Sequence, residues 1–327
     1  MSPARFAVLE QSIEPRHPPR PAWTVPPGYL QDRTTVSATE LQDRLACPVK
    51  WVFNHQAKLR PSPIADLPDL YQLKGTFCHS VLERVFGLGG PLPSVTTAID
   101  QVRRVFEARL PLDAAPLAQA DQLIPRQKLL DEMLSATRVL VEALAVGGYS
   151  IVGVEVEVSK VAFGKTLNGR IDCVASRADG SEAIIDFKYA GRNKYRDMIS
   201  DGQSVQLATY AYSRSPDDTT FPAVAYLILS DAQLLTPSGS PVVGSDGGSA
   251  IAAPPIRTVW EQFSQAIEAG DGWLTAGDTV PARPLQSPSE WPRGAELVLD
   301  ADLQDGDRQS VCRYCDYQRL CGLQETL

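Results

Sequence analysis

The chain has 327 residues, 43% of them hydrophobic, a formal charge of −8 and a pI near 5.0. That length builds one large domain, or one domain with a lobe. The acidic balance argues against a nonspecific nucleic-acid coat, which needs clustered Lys and Arg, and leaves room for an enzyme that handles nucleic acid in a local groove.

Residues 1–35 carry seven prolines in their first thirty positions and read as an extended, Pro-rich arm. The opening "MSPARFAVLEQSIEPRHPPRP" lacks the apolar core of a signal peptide, and no run of about 18 apolar residues follows, so a cytoplasmic protein without a membrane span is expected. In a reducing compartment, six cysteines point to metal ligands or buried thiols rather than disulfides.

A single domain is expected over 36–322, beginning with a helical part at 36–148. Ser37 or Thr39 caps a first helix whose apolar positions include Leu41 and Leu45. "TFCHSVLERVFGL" sets Phe77, Val81, Leu82 and Val85 at helical spacing, and 96–111 and 122–146 read as two more helices. The period then changes across 149–230. "YSIVGVEVEVSKVAF", "NGRIDCVASRA" and "EAIIDFKYAG" read as strands, "DGQSVQLATYAYSR" as helix and "FPAVAYLILS" as strand. This order predicts an α/β fold with a mixed central sheet flanked by helices. Residues 231–256, rich in Gly, Ser, Pro and Ala, read as a loop insertion. A helix near 257–269 and an irregular Pro-rich stretch at 280–300 lead to a cysteine-bearing segment at 300–322.

The chemical signal is Asp172 followed by Asp186-Phe187-Lys188. On a strand, residues i and i+2 share a face, so Asp186 and Lys188 project together while Ile185 and Phe187 pack behind. Asp172, on the preceding strand, can meet them across the ladder. Two carboxylates suit Mg2+ or Mn2+, and a neighbouring lysine can orient a water and offset charge on a phosphate. Taken alone, Asp186 and Lys188 also fit an ordinary solvated strand face. "AIIDFK" is apolar up to its aspartate, however, and a polar group entering such a strand needs a partner. Glu155 and Glu157 fall on one face of the strand before, and alternation does not choose between them. His79 stands on a helix four residues after Gly75, while Gln206 and Tyr210 lie one turn apart. Each of these is common on ordinary helices. "SKVAFGKT" is a near miss for a phosphate loop, because strand rather than helix follows it.

In order, G-x-x-x-H, G-R-I-D, D-F-K and Q-x-x-x-Y resemble the PD-(D/E)XK nuclease superfamily, in particular its RecB-like branch, which includes AddB-like helicase–nucleases and CRISPR-associated exonucleases. The resemblance implies that His79, Asp172, Asp186 and the backbone carbonyl of Phe187 ligate Mg2+ or Mn2+. It implies that Lys188 positions the attacking water, and that Gln206 and Tyr210 organise the catalytic site. It further implies a metal-dependent deoxyribonuclease acting on DNA as an exonuclease on single strands or ends. The setting would be DNA repair, CRISPR adaptation or phage defence, with a separate helicase as partner.

Alternation turns Cys173 away from Asp172, and Cys78 reads as core, which leaves Cys47 to accompany Cys312, Cys315 and Cys321. Members of the same branch hold a 4Fe–4S cluster with such a split pattern, so the resemblance implies an iron–sulfur clasp. Four thiolates also suit zinc, although zinc sites of four cysteines usually pair two short C-x2-C units. A noncatalytic iron–sulfur DNA-binding or scaffold subunit is the alternative function, and a zinc-ribbon interaction protein a third.

Overall fold

The computed structural model describes residues 20, 22–31, 33–60, 70–242, 250–275, 279–281, 312 and 315–322. Residues 1–19 of the expected arm, and nearly all of 280–311, lie outside these. In chain order the elements are β1 (Ala22–Thr24), β2 (Thr35–Val36), α1 (Ala38–Ala46), α2 (Pro48–Trp51), α3 (Leu70–Phe86), α4 (Val95–Asp113) and α5 (Leu123–Gly147). Then follow β3 (Ser150–Ala162), β4 (Lys165–Ser176), β5 (Glu182–Lys188), α6 (Arg192–Ser200) and α7 (Val205–Arg214). The chain continues through β6 (Ala223–Ile228), β7 (Gln233–Pro237), β8 (Ala250–Ile251), α8 (Ile256–Thr275) and β9 (Thr279–Pro281). Among the described residues, no helix is long and apolar enough to cross a membrane.

Where one domain is expected, the chain divides into two compact units. The larger holds Asp32–Gln42 and Ser62–Glu268, the smaller Met1–Gln31, Asp43–Pro61 and Ala269–Leu327.

The larger unit is built on a mixed sheet. β3, β4 and β5 form an antiparallel meander, and the chain then crosses through α6 and α7 so that β6 lies parallel to β5. β7 returns antiparallel to β6, while β2 and β8 add short parallel pairings to β4 and β7. Five consecutive residues of β5, Ala183–Phe187, are buried, as expected of a strand covered on both faces. On one face, Cys173, Ile185 and Phe187 pack with Phe77, Phe106, Met133 and Leu144 from α3, α4 and α5. On the other, Ile171, Val174, Ile184 and Tyr226 pack with Leu207, Tyr210 and Ala211 of α7. α1 starts where the sequence places it, since Ser37 Oγ accepts from the Glu40 amide at 3.1 Å. α5 stops at Gly148, whose φ of +72° suits glycine at a helix end.

In the smaller unit β1 pairs antiparallel with β9, so residues expected to form an extended arm are tied to a late strand. The Arg20 amide donates to the Cys321 carbonyl at 2.9 Å, and Tyr317 Oη donates to the Leu59 carbonyl at 3.0 Å. Trp23, Phe53 and Tyr317 follow one another with ring centroids 5.1 and 5.3 Å apart.

The stretch 231–256, expected as a loop insertion, supplies β7 and β8. Leu234, Leu235 and Thr236 are buried, a short apolar signal hidden among the Gly and Ser around it. The phosphate-loop near miss is a hairpin: Phe163 and Gly164 turn with φ of +54° and +67° between β3 and β4. Phe77 is buried and its ring meets Phe106 edge-on at 5.1 Å, immediately before the site residues of α3. Phe77→Ala is therefore expected to lower unfolding free energy by about 3–5 kcal/mol, measured by urea denaturation.

Candidate active site

The site lies in the larger unit, where α3, β3, β4, β5 and α7 bring together residues from 79 to 210. Asp186 and Lys188 project from one side of β5, and Lys188 Nζ stands 2.7 Å from Asp186 Oδ2. Asp186 is fully buried, and neither carboxylate oxygen makes a well-aligned hydrogen bond among the described residues. Lys188 Nζ also donates to Gln206 Oε1 at 3.0 Å, and Gln206 Nε2 donates to Tyr210 Oη at 3.3 Å. The one-turn spacing on α7 thus continues a polar chain from Asp186 through Lys188 and Gln206 to Tyr210. Gly169 of β4 gives the Tyr210 ring its room, since a Cβ there would meet Tyr210 Cε1 at 2.8 Å.

Across the ladder, Asp172 Oδ2 accepts the Phe187 amide at 2.6 Å. Burial, then the charge of Asp186, raises the Asp172 carboxyl to about 7, against the opposing influence of His79 and Lys188. His79 Nδ1 lies 3.5 Å from Glu155 Oε1 and 3.7 Å from Asp172 Oδ1, while its Nε2 is 3.1 Å from the Phe187 carbonyl. Burial works against imidazolium here, yet Glu155, Asp172 and Asp186 together hold the His79 pKa above its ordinary value. For Lys188 burial likewise opposes the charged form, and Asp186 and Asp172 more than offset it, so its pKa is raised and it stays an ammonium.

Donor atoms of His79, Glu155 and Asp172 all lie within 4.8 Å of one another. Two of these, His79 and Asp172, belong to the expected ligand set, and Glu155, left level with Glu157 by alternation, joins them. Of the other expected ligands, Asp186 pairs with Lys188 and the Phe187 carbonyl faces His79. Its φ of +56° takes it out of the strand pattern, opposite Asp172 and between the pairs Val154–Cys173 and Val156–Ile171. The Glu155 side chain is 19% exposed, against 82% for Glu157, which faces Arg170 at 3.5 Å. No sequence signal short of that backbone angle separates the two. The donor set suits a hard divalent cation: two carboxylates and an imidazole converge beside a buried carboxylate without aligned donors.

Cys173 and Cys78 are fully buried in the core. The other four cysteines belong to the smaller unit, where Cys47 and Cys321 pack with Val49, Trp51 and Val280. Burial raises the Cys47 thiol to about 12, and the neighbouring Cys312, Cys315 and Cys321 reinforce it. Cys321 is raised to about 11 by burial, then by Cys315 and Cys312. The thiols of Cys47 and Cys321 thus lie within electrostatic reach of Cys312 and Cys315. Lys50, 2.7 Å from Asp43, adds a positive charge beside Cys47 and Cys315. Thiols kept protonated by burial and mutual repulsion become good ligands once a cationic centre offsets their charge.

Against known proteins, the sequence profile of the PD-(D/E)XK nuclease superfamily matches residues 35–322. No curated protein matches the chain.

The electrostatics of the site set a pH dependence. Asp172 binds its proton more tightly folded than unfolded, so its contribution is favourable at low pH and is lost as pH rises from about 4 to about 7. His79, also raised, loses stabilisation in the same direction. Asp172→Asn keeps an acceptor for the Phe187 amide and removes the titration. Without divalent metal, the parent's melting temperature should lose ground to that of the variant as pH rises from about 4 to about 7, read by thermal unfolding. Parallel profiles would contradict it.

Proposed function

Because this chain belongs to the PD-(D/E)XK nuclease superfamily, we propose that it is a metal-dependent deoxyribonuclease. It hydrolyses phosphodiesters by water attack, as an exonuclease on single strands or DNA ends. The observation that carries this reading is the convergence of His79, Glu155 and Asp172 within 4.8 Å beside the Asp186–Lys188 pair. An acidic surface with a formal charge of −8 has little general affinity for DNA, so a local cationic centre is what admits a phosphate.

His79, Glu155 and Asp172 would hold Mg2+ or Mn2+, with Asp186 and the Phe187 carbonyl at its edge. When bound, such a cation supplies Lewis acidity toward the phosphate oxygens and lowers the pKa of a water. Lys188 has a different task. Its raised pKa keeps it an ammonium, so it donates hydrogen bonds and positive charge rather than removing a proton. Asp186 and Gln206 hold Nζ from two sides and fix the direction in which it donates. Tyr210 orients Gln206 and so acts on the lysine through it.

The four cysteines of the smaller unit support a 4Fe–4S cluster on Cys47, Cys312, Cys315 and Cys321. What favours this is that they come from segments far apart along the chain into one compact unit and lie within electrostatic reach of one another. The cluster would brace that unit rather than take part in hydrolysis. DNA repair, CRISPR adaptation or phage defence, in the cytoplasm and with a separately encoded helicase, is the proposed setting.

Assays on single- and double-stranded DNA with Mg2+ or Mn2+ test the catalytic reading. Lys188→Ala should reduce hydrolysis by about 100-fold or more and, by leaving the buried Asp186 carboxylate without its cation, also lower the melting temperature, while circular dichroism at the assay temperature stays that of the parent. Hydrolysis unchanged by that substitution overturns the assignment, and absence of any hydrolysis by the parent turns the reading toward a DNA-binding subunit. For the cluster, anaerobically purified protein should be brown, with iron and sulfide that Cys315→Ser removes. Stoichiometric zinc in a colourless protein would overturn it.

A further inference from the structure

The active lysine is followed directly by an aromatic surface that the catalytic roles leave unused. Tyr189, next to Lys188, is anchored through Oη to Glu132 Oε2 at 3.0 Å, and Glu132 is itself 3.7 Å from Lys128. The Tyr189 ring meets that of Tyr71 with centroids 5.3 Å apart and planes tilted by 57°. Tyr71 is 49% exposed, an unusual outlay of aromatic area beside a polar site. It stands on α3 four residues before Gly75 and eight before His79, so three successive turns carry Tyr71, Gly75 and His79 along one side. The separation along the axis is about 12 Å. Tyr189 packs beside this turn of α3, where a Cβ at Gly75 would make an ordinary 3.6 Å contact with Tyr189 Cβ.

Positive charge lies beside this surface. α6 begins Arg192-Asn193-Lys194-Tyr195-Arg196, with no acid before Asp197, and all three basic residues are exposed. Lys194 Nζ is 5.9 Å from the Tyr195 ring, which packs on Tyr226 at 4.9 Å. Burial raises the Tyr195 pKa, with Lys188 opposing and Asp186 reinforcing the shift, so this ring of α6 stands within electrostatic reach of the Asp186–Lys188 pair. Rings and cations are thus interleaved next to a site built for a phosphate.

We propose that Tyr71, braced by Tyr189, is a stacking platform for an unpaired nucleobase, with Arg192 and Arg196, one turn apart on α6, meeting the phosphates of the same strand. The platform selects single-stranded DNA, because a base can lie on a tyrosine ring only when it has left its own pair and stack. It is indifferent to sequence, since every base offers a π face. This rests on the nuclease reading, narrows its substrate from single strands or ends to an unpaired strand, and names the residues that choose it.

Binding of fluorescein-labelled oligo(dT) and of a blunt duplex of equal length, without added divalent metal, tests the platform. Tyr71→Ala should weaken single-strand binding about tenfold, leave duplex binding unchanged, and keep the parental melting temperature. Tyr71→Phe should bind like the parent, and Tyr71→Trp at least as well. In a 2-aminopurine oligonucleotide, quenching on binding should be lost with Tyr71→Ala alone. Equal single-strand binding by Tyr71→Ala and the parent overturns the platform, as does an equal loss for both substrates. If hydrolysis in Mg2+ still depends on Lys188 in that case, only the platform falls. If the parent neither binds nor cleaves DNA, the nuclease reading falls with it.

Discussion

A carboxylate fully withdrawn from water governs this structure. Asp186 sits in a strand buried on both faces, and the ammonium of Lys188 is the only cation the described side chains place at contact distance from it. Removing an ionised group from water costs several kcal/mol unless charge and hydrogen bonds compensate. The surroundings follow from that requirement. Lys188 is held between Asp186 and Gln206, Gln206 is steadied by Tyr210, and Gly169 leaves space for the Tyr210 ring. Asp172 takes the Phe187 amide, and burial together with the nearby Asp186 charge pushes its pKa up to about 7. His79 brings the remaining positive charge from α3. An assembly arranged this way is strained toward binding a cation, which is the physical content of the nuclease proposal.

Much of this arrangement is legible in the sequence because it follows from two periodicities. The i, i+2 spacing puts Asp186 and Lys188 on one side of β5 and sends Ile185 and Phe187 into the helical layer. The i, i+4 spacing aligns Gln206 with Tyr210, and alternation correctly turns Cys173 into the core. Legibility ends where the backbone leaves its period. Glu155 adopts a positive φ, a conformation that carries no marker in the residue type, so nothing in the sequence separates it from Glu157. β7 is missed because only three of its residues are buried and its neighbours are turn-formers. The division into two units is missed for another reason: its contacts join segments that no local window contains.

The two sites also differ in how their charges are balanced. In the larger unit, carboxylates of raised or compensated charge await a hard cation, and oxygen and imidazole are the donors. In the smaller unit, soft sulfur donors are packed with Val49, Trp51 and Val280, where burial favours the neutral thiol. A hard divalent ion suits the first donor set and a thiophilic centre the second. The two proposed donor sets share no donor type, so ligand chemistry alone would sort two kinds of metal between them.

The pairing of β1 with β9 has a consequence for how the chain is made. Ala22–Thr24 leave the ribosome early, but their strand partner, Thr279–Pro281, emerges more than 250 residues later, and Cys47 precedes Cys312 by 265 positions. The segments of the larger unit that carry His79 through Tyr210 are complete long before that. A nascent chain thus displays a finished acidic centre while the smaller unit is still open at one edge. Any product cut short before residue 279 would keep the catalytic constellation and lack β1's partner.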